Sequence, residues 1–358
     1  MLQKVKWRPA AGHYDDAVHE RGSVRDPVVS VVLPVRDGAA FLAGALESLS
    51  AQTFPGFEVV VVDDGSTDDS PAIASAHGRR DARFRVLRQG REGIVAALER
   101  ARREARGRFL ARMDADDVAL PDRLRLQLDA LEREGLDAVG GGVEIVSEGR
   151  VTDGLRRYEA WLNSLVTEDA AARDVFVECP LPHPTLLARH EAVERAGGYH
   201  ETSWPEDYDL VLRLWAAGAC FRNVEPVVLR WRDRAARQSR TDPRYGEDAF
   251  VRCKVHHLRR TLLGAGRPAV VWGSGPVGKR FVRELLGGGV TVEAFVDVDP
   301  RKHGKRIYGV PVVPTGESGR YRDAVALGAV AGADGRARVR ELAYAEGRRD
   351  GEDFAAVA

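Results

Sequence analysis

Apolar residues in this chain arrive in short runs separated by amphipathic stretches. VVSVVLPV (28–35), FEVVVVDDG (57–65), FRVLRQ (84–89) and the start of RFLARMDADD (108–117) have strand length and are rich in β-branched side chains. Between them AAFLAGALESLSAQ (39–52), DDSPAIASAHG (68–78) and IVAALERARREARG (94–107) carry apolar positions at helical spacing, the last closed by Gly107. Strands that are apolar almost throughout, alternating with helices, predict a mainly parallel sheet covered on both faces. Ligands of such sheets bind beyond the carboxyl ends of the strands. PDRLRLQLDALEREG (121–135) reads as a helix opened by Pro121 and stopped by Gly135, followed by strand-like DAVGGGVEIVSEG (137–149). Residues 154 to 178 look helical, as does WPEDYDLVLRLWAAGA (204–219), and FRNVEPVVLRWR (221–232) is strand-like. An Arg-rich loop and a helix then lead to LLGAGRP, which reads as a linker.

The pattern restarts after this linker. AVVWGSGPVGKRFVRELLGGGVTVEAFVDVDP (269–300) is strand, glycine turn, helix, strand, and VPVV, AVALGAV and RARVRELAYAEG continue an α/β rhythm. Three parts are therefore expected: a polar, poorly ordered arm over 1–27, an α/β domain over 28–263 and a small Rossmann-like domain over 264–358.

A length of 358 residues with 44% hydrophobic positions suits two packed domains. Lys plus Arg and Asp plus Glu both number 54, so overall charge demands neither nucleic acid nor an anionic membrane. Cys179, Cys220 and Cys253 are far apart, with no CxxC pair, which fits a reducing cytoplasm better than a disulfide framework. The first 26 residues lack a signal-peptide core, and no apolar run approaches the roughly 18 residues of a spanning helix. A soluble cytoplasmic protein is expected, with peripheral contact at the inner face of the membrane left open.

Acidic residues cluster at the strand ends. In VVVVDDGSTDDS, Asp63 and Asp64 stand where an apolar strand meets the crevice, suited to a nucleotide's base or ribose; Asp68 or Ser66 could instead cap the next helix. In RMDADD, two carboxylates two apart on an extended segment would project to one side and grip a hard divalent cation beside a diphosphate. An acidic turn capping the helix near Pro121 is the alternative. Glu206-Asp207 is either an acidic first helical turn or a base. His183, between prolines in PLPHPTLL, is expected in an extended loop, and Trp204 could pack under its loop.

LPVRDG, VVVVDDGSTDDS, MDADD, HPT and WPEDYDL, in this order from Val28 to Leu263, resemble family 2 glycosyltransferases of the GT-A fold. The resemblance implies an inverting, metal-dependent transfer from a nucleotide-sugar donor, leaning to UDP, onto a hydroxyl acceptor of a glycan or lipid-linked substrate. It places Pro34, Arg36, Asp63 and Asp64 at the base and ribose, Asp114 near ribose and diphosphate, and Asp116 on Mn2+ or Mg2+ with Asp114 assisting. Asp207 matches the general base, and Glu206, His183 and Trp204 fall on the acceptor side, His183 positioning metal or acceptor and Trp204 able to stack on an acceptor sugar. Arg232, Arg237 and Ser239 match, approximately, a loop that folds over the diphosphate. Gly273, Gly275, Gly278 and Asp297 form a dinucleotide-type fingerprint, and this second unit resembles the nucleotide-binding domain of bacterial sugar acyltransferases. It would bind a nucleotide, a nucleotide sugar or NAD(P), or else serve a structural or oligomerising role without a ligand. A non-catalytic nucleotide-sugar sensor and an NAD(P)-dependent oxidoreductase are the rival functions.

Overall fold

The computed structural model describes residues 27–147, 149–234 and 237–358, with the side chains of Gln238 and Ser239 also outside the description. The predicted arm over 1–27 thus lies almost wholly outside the described residues, as does the Ser239 side chain. Two compact units are present: one comprises the chain to Ala171 with 181–201 and 213–237, the other 172–180, 202–212 and 238–358.

In the first unit the strands are β1 Val29–Val35, β2 Phe57–Asp64, β3 Phe84–Gln89, β4 Phe109–Arg112, β5 Val118–Ala119, β6 Ala138–Ser147, β7 Leu187–Arg189 and β8 Phe221–Asp233. They form one sheet in the order β3-β2-β1-β4-β7-β6-β8-β5. The four strands of the alternating region pair in parallel, β1 with β2 and β4, β2 with β3. β7 runs antiparallel to β4 and β6, and β5 antiparallel to β8, so the sheet is mixed on this side. β1 and β2 are buried at every position, as unbroken apolar runs require. Helices Ala39–Ser50, Ser70–Arg80, Ile94–Glu104 and Arg123–Glu134 follow where the periodicity placed them.

Two glycines have different reasons for being there. Gly135 takes φ +68° and ends its helix as a left-handed cap, as expected. Gly107 does not close the helix before it, which stops at Glu104. It lies against β1, where an added Cβ would sit 2.6 Å from the Ser30 backbone nitrogen. Its N–H donates to the Ser30 hydroxyl at 2.8 Å.

In the second unit β9 Ala269–Trp272, β10 Val292–Asp297, β11 Arg306–Ile307, β12 Val310–Pro314, β13 Val325–Gly328 and β14 Phe354–Ala356 form a sheet in the order β11-β12-β10-β9-β13-β14. All its pairings are parallel except the β11–β12 ribbon. The helix Pro276–Gly287 follows β9 through the glycine turn. The helix Glu247–Arg260 also belongs to this unit. Its buried Lys254 donates to the carbonyls of Val177, at 2.7 Å, and Val357, at 3.1 Å. Among the described residues no helix is long and apolar enough to cross a membrane.

Candidate functional site

In the first unit, the carboxyl end of β4 runs into a tight turn, and this turn gathers the acids. The expected extended RMDADD segment is therefore corrected: β4 ends at Arg112, the Asp117 N–H reaches the Asp114 carbonyl at 3.4 Å, and β5 begins at Val118. A turn brings three carboxylates together where an extended strand would align two. Asp114, Asp116 and Asp117 each place an oxygen within 4.8 Å of the other two. Asp117, which alternation along a strand would have turned away, is the buried member of the three.

Arginines surround the turn. Arg112, buried at the end of β4, ion-pairs with Asp114. Arg237 also reaches Asp114, at 3.3 Å, and its guanidinium lies 4.6 Å from the Trp231 ring centre. Arg234 pairs with Asp116 at 2.8 Å. From β8, the Arg232 backbone N–H donates to Asp117 at 2.7 Å, while its side chain donates to the Asp116 carbonyl at 3.0 Å. Arg123, fully buried, donates to the Arg112 carbonyl at 2.6 Å.

The electrostatics follow from burial. Desolvation, and then the neighbouring charge of Asp114, push the Asp117 carboxyl well above the usual carboxylate range, with Arg237 opposing. Burial alone would lower Arg112, but the adjacent carboxylates outweigh it and hold the guanidinium charged. Arg123, with less compensation, is lowered by burial to about 9. One Asp117 oxygen is buried without a hydrogen bond. Three hard oxygen donors, one with an unmet lone pair, fit a Mg2+ or Mn2+ ion.

Beside this turn the crevice is lined from β1 and β2. Pro34 is buried in register with Val62, and Arg36 is exposed at the strand end. Asp63 is fully buried; one oxygen accepts from the Ser66 N–H at 3.3 Å, while the other has no hydrogen bond and lies 3.5 Å from Arg88. Asp64 accepts from the backbone N–H groups of Glu92 and Gly93 and from the Gln89 side chain, tying down the loop 89–93. Asp68 accepts from the N–H groups of Ala39 and Ser70, at the starts of two helices, although the N-cap of the second is Asp69, without a side-chain cap bond.

His183 is not in an extended loop. Pro182 and Pro184 wind it into the one-turn 3-10 helix His183–Thr185, where it is buried with its Nε2 2.9 Å from the Tyr199 hydroxyl. Gly197 and Gly198, at φ +87° and +71°, turn the chain so that Tyr199 reaches this position. Burial, then the charges of Arg112 and Arg237, lower the His183 pKa well below its ordinary value. The folded protein therefore keeps it neutral where the unfolded chain takes up a proton, so stability is present above about pH 6.5 and falls as pH drops through that value. The fall in Tm from about pH 7.5 to 5 should be shallower in His183→Gln, and equal slopes for the two proteins would refute this assignment.

In the second unit, the helix Glu206–Ala216 opens on its acids. Glu206 is buried and accepts the Tyr245 hydroxyl at 2.7 Å. Asp207 is half-buried and accepts from the following N–H of Tyr208 at 2.7 Å. The Trp204 indole N–H donates to Asp209 at 2.9 Å, which fixes the ring within its loop. At the glycine turn Gly273 takes φ +105°, and a Cβ on Gly278 would lie 1.8 Å from the Gly273 carbonyl oxygen, so both are required for the turn to close on the helix. Around Gly275 nothing lies within 4 Å of an added Cβ. Asp297 accepts from the Ser274 N–H at 2.8 Å, from the Ser274 hydroxyl, and from Lys302 at 3.0 Å. Burial raises its pKa, but these bonds and the Asp299 N–H outweigh it and hold the carboxyl down to about 2.

The Glycosyl transferase family 2 description matches residues 30–195. An uncharacterised glycosyltransferase, RP339, of Rickettsia prowazekii (strain Madrid E) is 30% identical over 227 residues, 61% of this chain and 68% of the relative. The putative glycosyltransferase EpsH of Bacillus subtilis (strain 168) is 38% identical over 96 residues, 27% of this chain. The chain spans only 28% and 37% of the length of two Bacillus subtilis relatives, EpsH being the first. Among solved structures, S. aureus TarS 1-349, crystallised in complex with UDP-GlcNAc, aligns with a TM-score of 0.52 at 18% identity over 64% of this chain and 66% of that one. The shared fold is the GT-A type, and it is accompanied here by the second sheet.

Proposed function

Because the chain belongs to glycosyl transferase family 2, we propose that it moves a sugar from a nucleotide-diphosphate donor, with UDP as the nucleotide, to a hydroxyl acceptor in glycan synthesis, with inversion. The observation that carries this reading is the convergence of Asp114, Asp116 and Asp117 on one turn at the carboxyl end of a sheet strand. Asp116, with Asp114 assisting, would hold a divalent cation, which when bound neutralises charge on the departing diphosphate. Pro34, Arg36, Asp63 and Asp64 would meet the base and ribose, and Arg232 would meet the diphosphate. The catalytic segment is taken to run from Val28 to Leu263.

Asp207 is the proposed general base. A sugar hydroxyl is a weak nucleophile, so a carboxylate must take its proton as the oxygen attacks the anomeric carbon opposite the diphosphate. Glu206 is the poorer candidate, being buried against Tyr245. His183 and Trp204 are placed on the acceptor side as groups that shape the site.

The decisive experiment is transfer from a panel of nucleotide sugars, with and without Mn2+, alongside thermal shifts. Donor binding without transfer to any acceptor or to water would instead identify a sensor.

Residues 264–358 are proposed to bind a second nucleotide on the N–H groups of the glycine turn, in the manner of the domain on sugar acyltransferases. Gly275→Val should fold, since an added Cβ there meets nothing within 4 Å, and should reduce two calorimetric binding events to one. Gly278→Ala should instead cost stability, about 1–3 kcal/mol, through overpacking. A single binding event in wild type would make this domain structural.

A further inference from the structure

A second cluster of donor atoms lies in the second unit. Asp209 comes from the helix Glu206–Ala216, and Cys253 and His257 come from the helix Glu247–Arg260, one turn apart and so on the same face. Their ligating atoms all lie within 4.8 Å of one another. All three are buried, at 3%, 0% and 4% exposure. His257 Nε2 is 3.0 Å from Asp209 Oδ1, the oxygen that also accepts the Trp204 indole N–H.

We propose that Asp209, Cys253 and His257 bind one thiophilic divalent cation of the zinc class. The donor set decides the class, because sulfur and imidazole select zinc-like ions, whereas Mg2+ and Ca2+ take oxygen. Zinc bonds of about 2.0–2.3 Å in a tetrahedron place donor atoms roughly 3.2–3.8 Å apart, a spacing this cluster reaches with small side-chain movement. On binding, the Cys253 thiol proton leaves to solvent, and His257 binds through Nε2 as the Nδ1–H tautomer. One thiolate and one carboxylate then balance the two charges of the cation, so the buried site is neutral. The Trp204 N–H on Asp209 is the outer hydrogen bond that orients a ligating carboxylate. Three protein donors leave one position for water. This cluster shares no residue with the oxygen-only turn at Asp114–Asp117.

The test uses the full chain, freed of metal by chelation and loaded with zinc or with Co2+. The expected results are one tightly held zinc per chain by elemental analysis, a raised Tm, and a thiolate-to-cobalt charge-transfer band in the near ultraviolet. Cys253→Ser should lose the band, and Asp116→Asn should keep it, which separates this site from the donor site. Absence of stoichiometric zinc in wild type, or absence of the thiolate band from wild-type cobalt protein, would overturn the proposal whether or not any variant folds. A band that persists in Cys253→Ser would overturn it too.

Discussion

Asp207→Asn should bind nucleotide sugar as wild type does and transfer it about 100-fold more slowly or worse. The substitution keeps the side chain's size and an oxygen able to accept the Tyr208 N–H, now at 2.7 Å, and removes the negative charge together with the capacity to take a proton. The effect should therefore fall on kcat, with donor KM little changed, because the lost interaction is made only as the acceptor hydroxyl attacks. Glu206→Gln, by contrast, would disturb a buried bond to Tyr245 and should show as lower Tm. Retained turnover in Asp207→Asn, or a product that keeps the donor's anomeric configuration, would sink the single-displacement assignment.

The second large effect is expected at Asp116. Asp116→Asn should abolish the gain in UDP affinity that Mn2+ provides, a loss of at least about 10- to 100-fold, since even outer-sphere partners of a metal cost that much when removed. Calorimetric titration of UDP with and without Mn2+ measures the gain directly. Heats indistinguishable from wild type would move the cation elsewhere. The variant should fold, because Asp116 is only half-buried and its removal takes one ion pair, with Arg234, from the turn.

The longer strands, and the acids that close two of them, are legible in the sequence for one physical reason. Apolar runs such as FEVVVVDDG read as buried strands by their length and β-branched content, and the carboxylates that close them mark the carboxyl end of the strand, although Asp63 and Asp64 are themselves buried. What stayed illegible depends on which distant side chains meet. Nothing in RWRDRAARQSR says that Arg234 and Arg237 pair with Asp116 and Asp114, since the spacing in sequence is large and the contacts are made by side chains. His183 reads as part of an extended loop because prolines favour extended backbone, yet two prolines around one residue also fit a 3-10 turn, and the buried Tyr199 hydroxyl decides between them. Gly107 reads as a helix stop because it follows a helical pattern; its contact with Ser30 is tertiary. Cys253 and His257 show the i, i+4 spacing of a shared helix face, a signal available from sequence, but their meeting with Asp209 is not.

The arginines on the acidic turn bear on how donor and cation would bind together. Arg234 and Arg237 already supply positive charge to Asp116 and Asp114, so an arriving cation competes with them for the same carboxylates. A diphosphate changes that competition, because it offers the displaced guanidinium groups a new anionic partner. Cation and nucleotide would then be thermodynamically linked, each raising the other's affinity by the same factor. Either alone would bind weakly, and the site would discriminate against free metal ions without any residue devoted to excluding them.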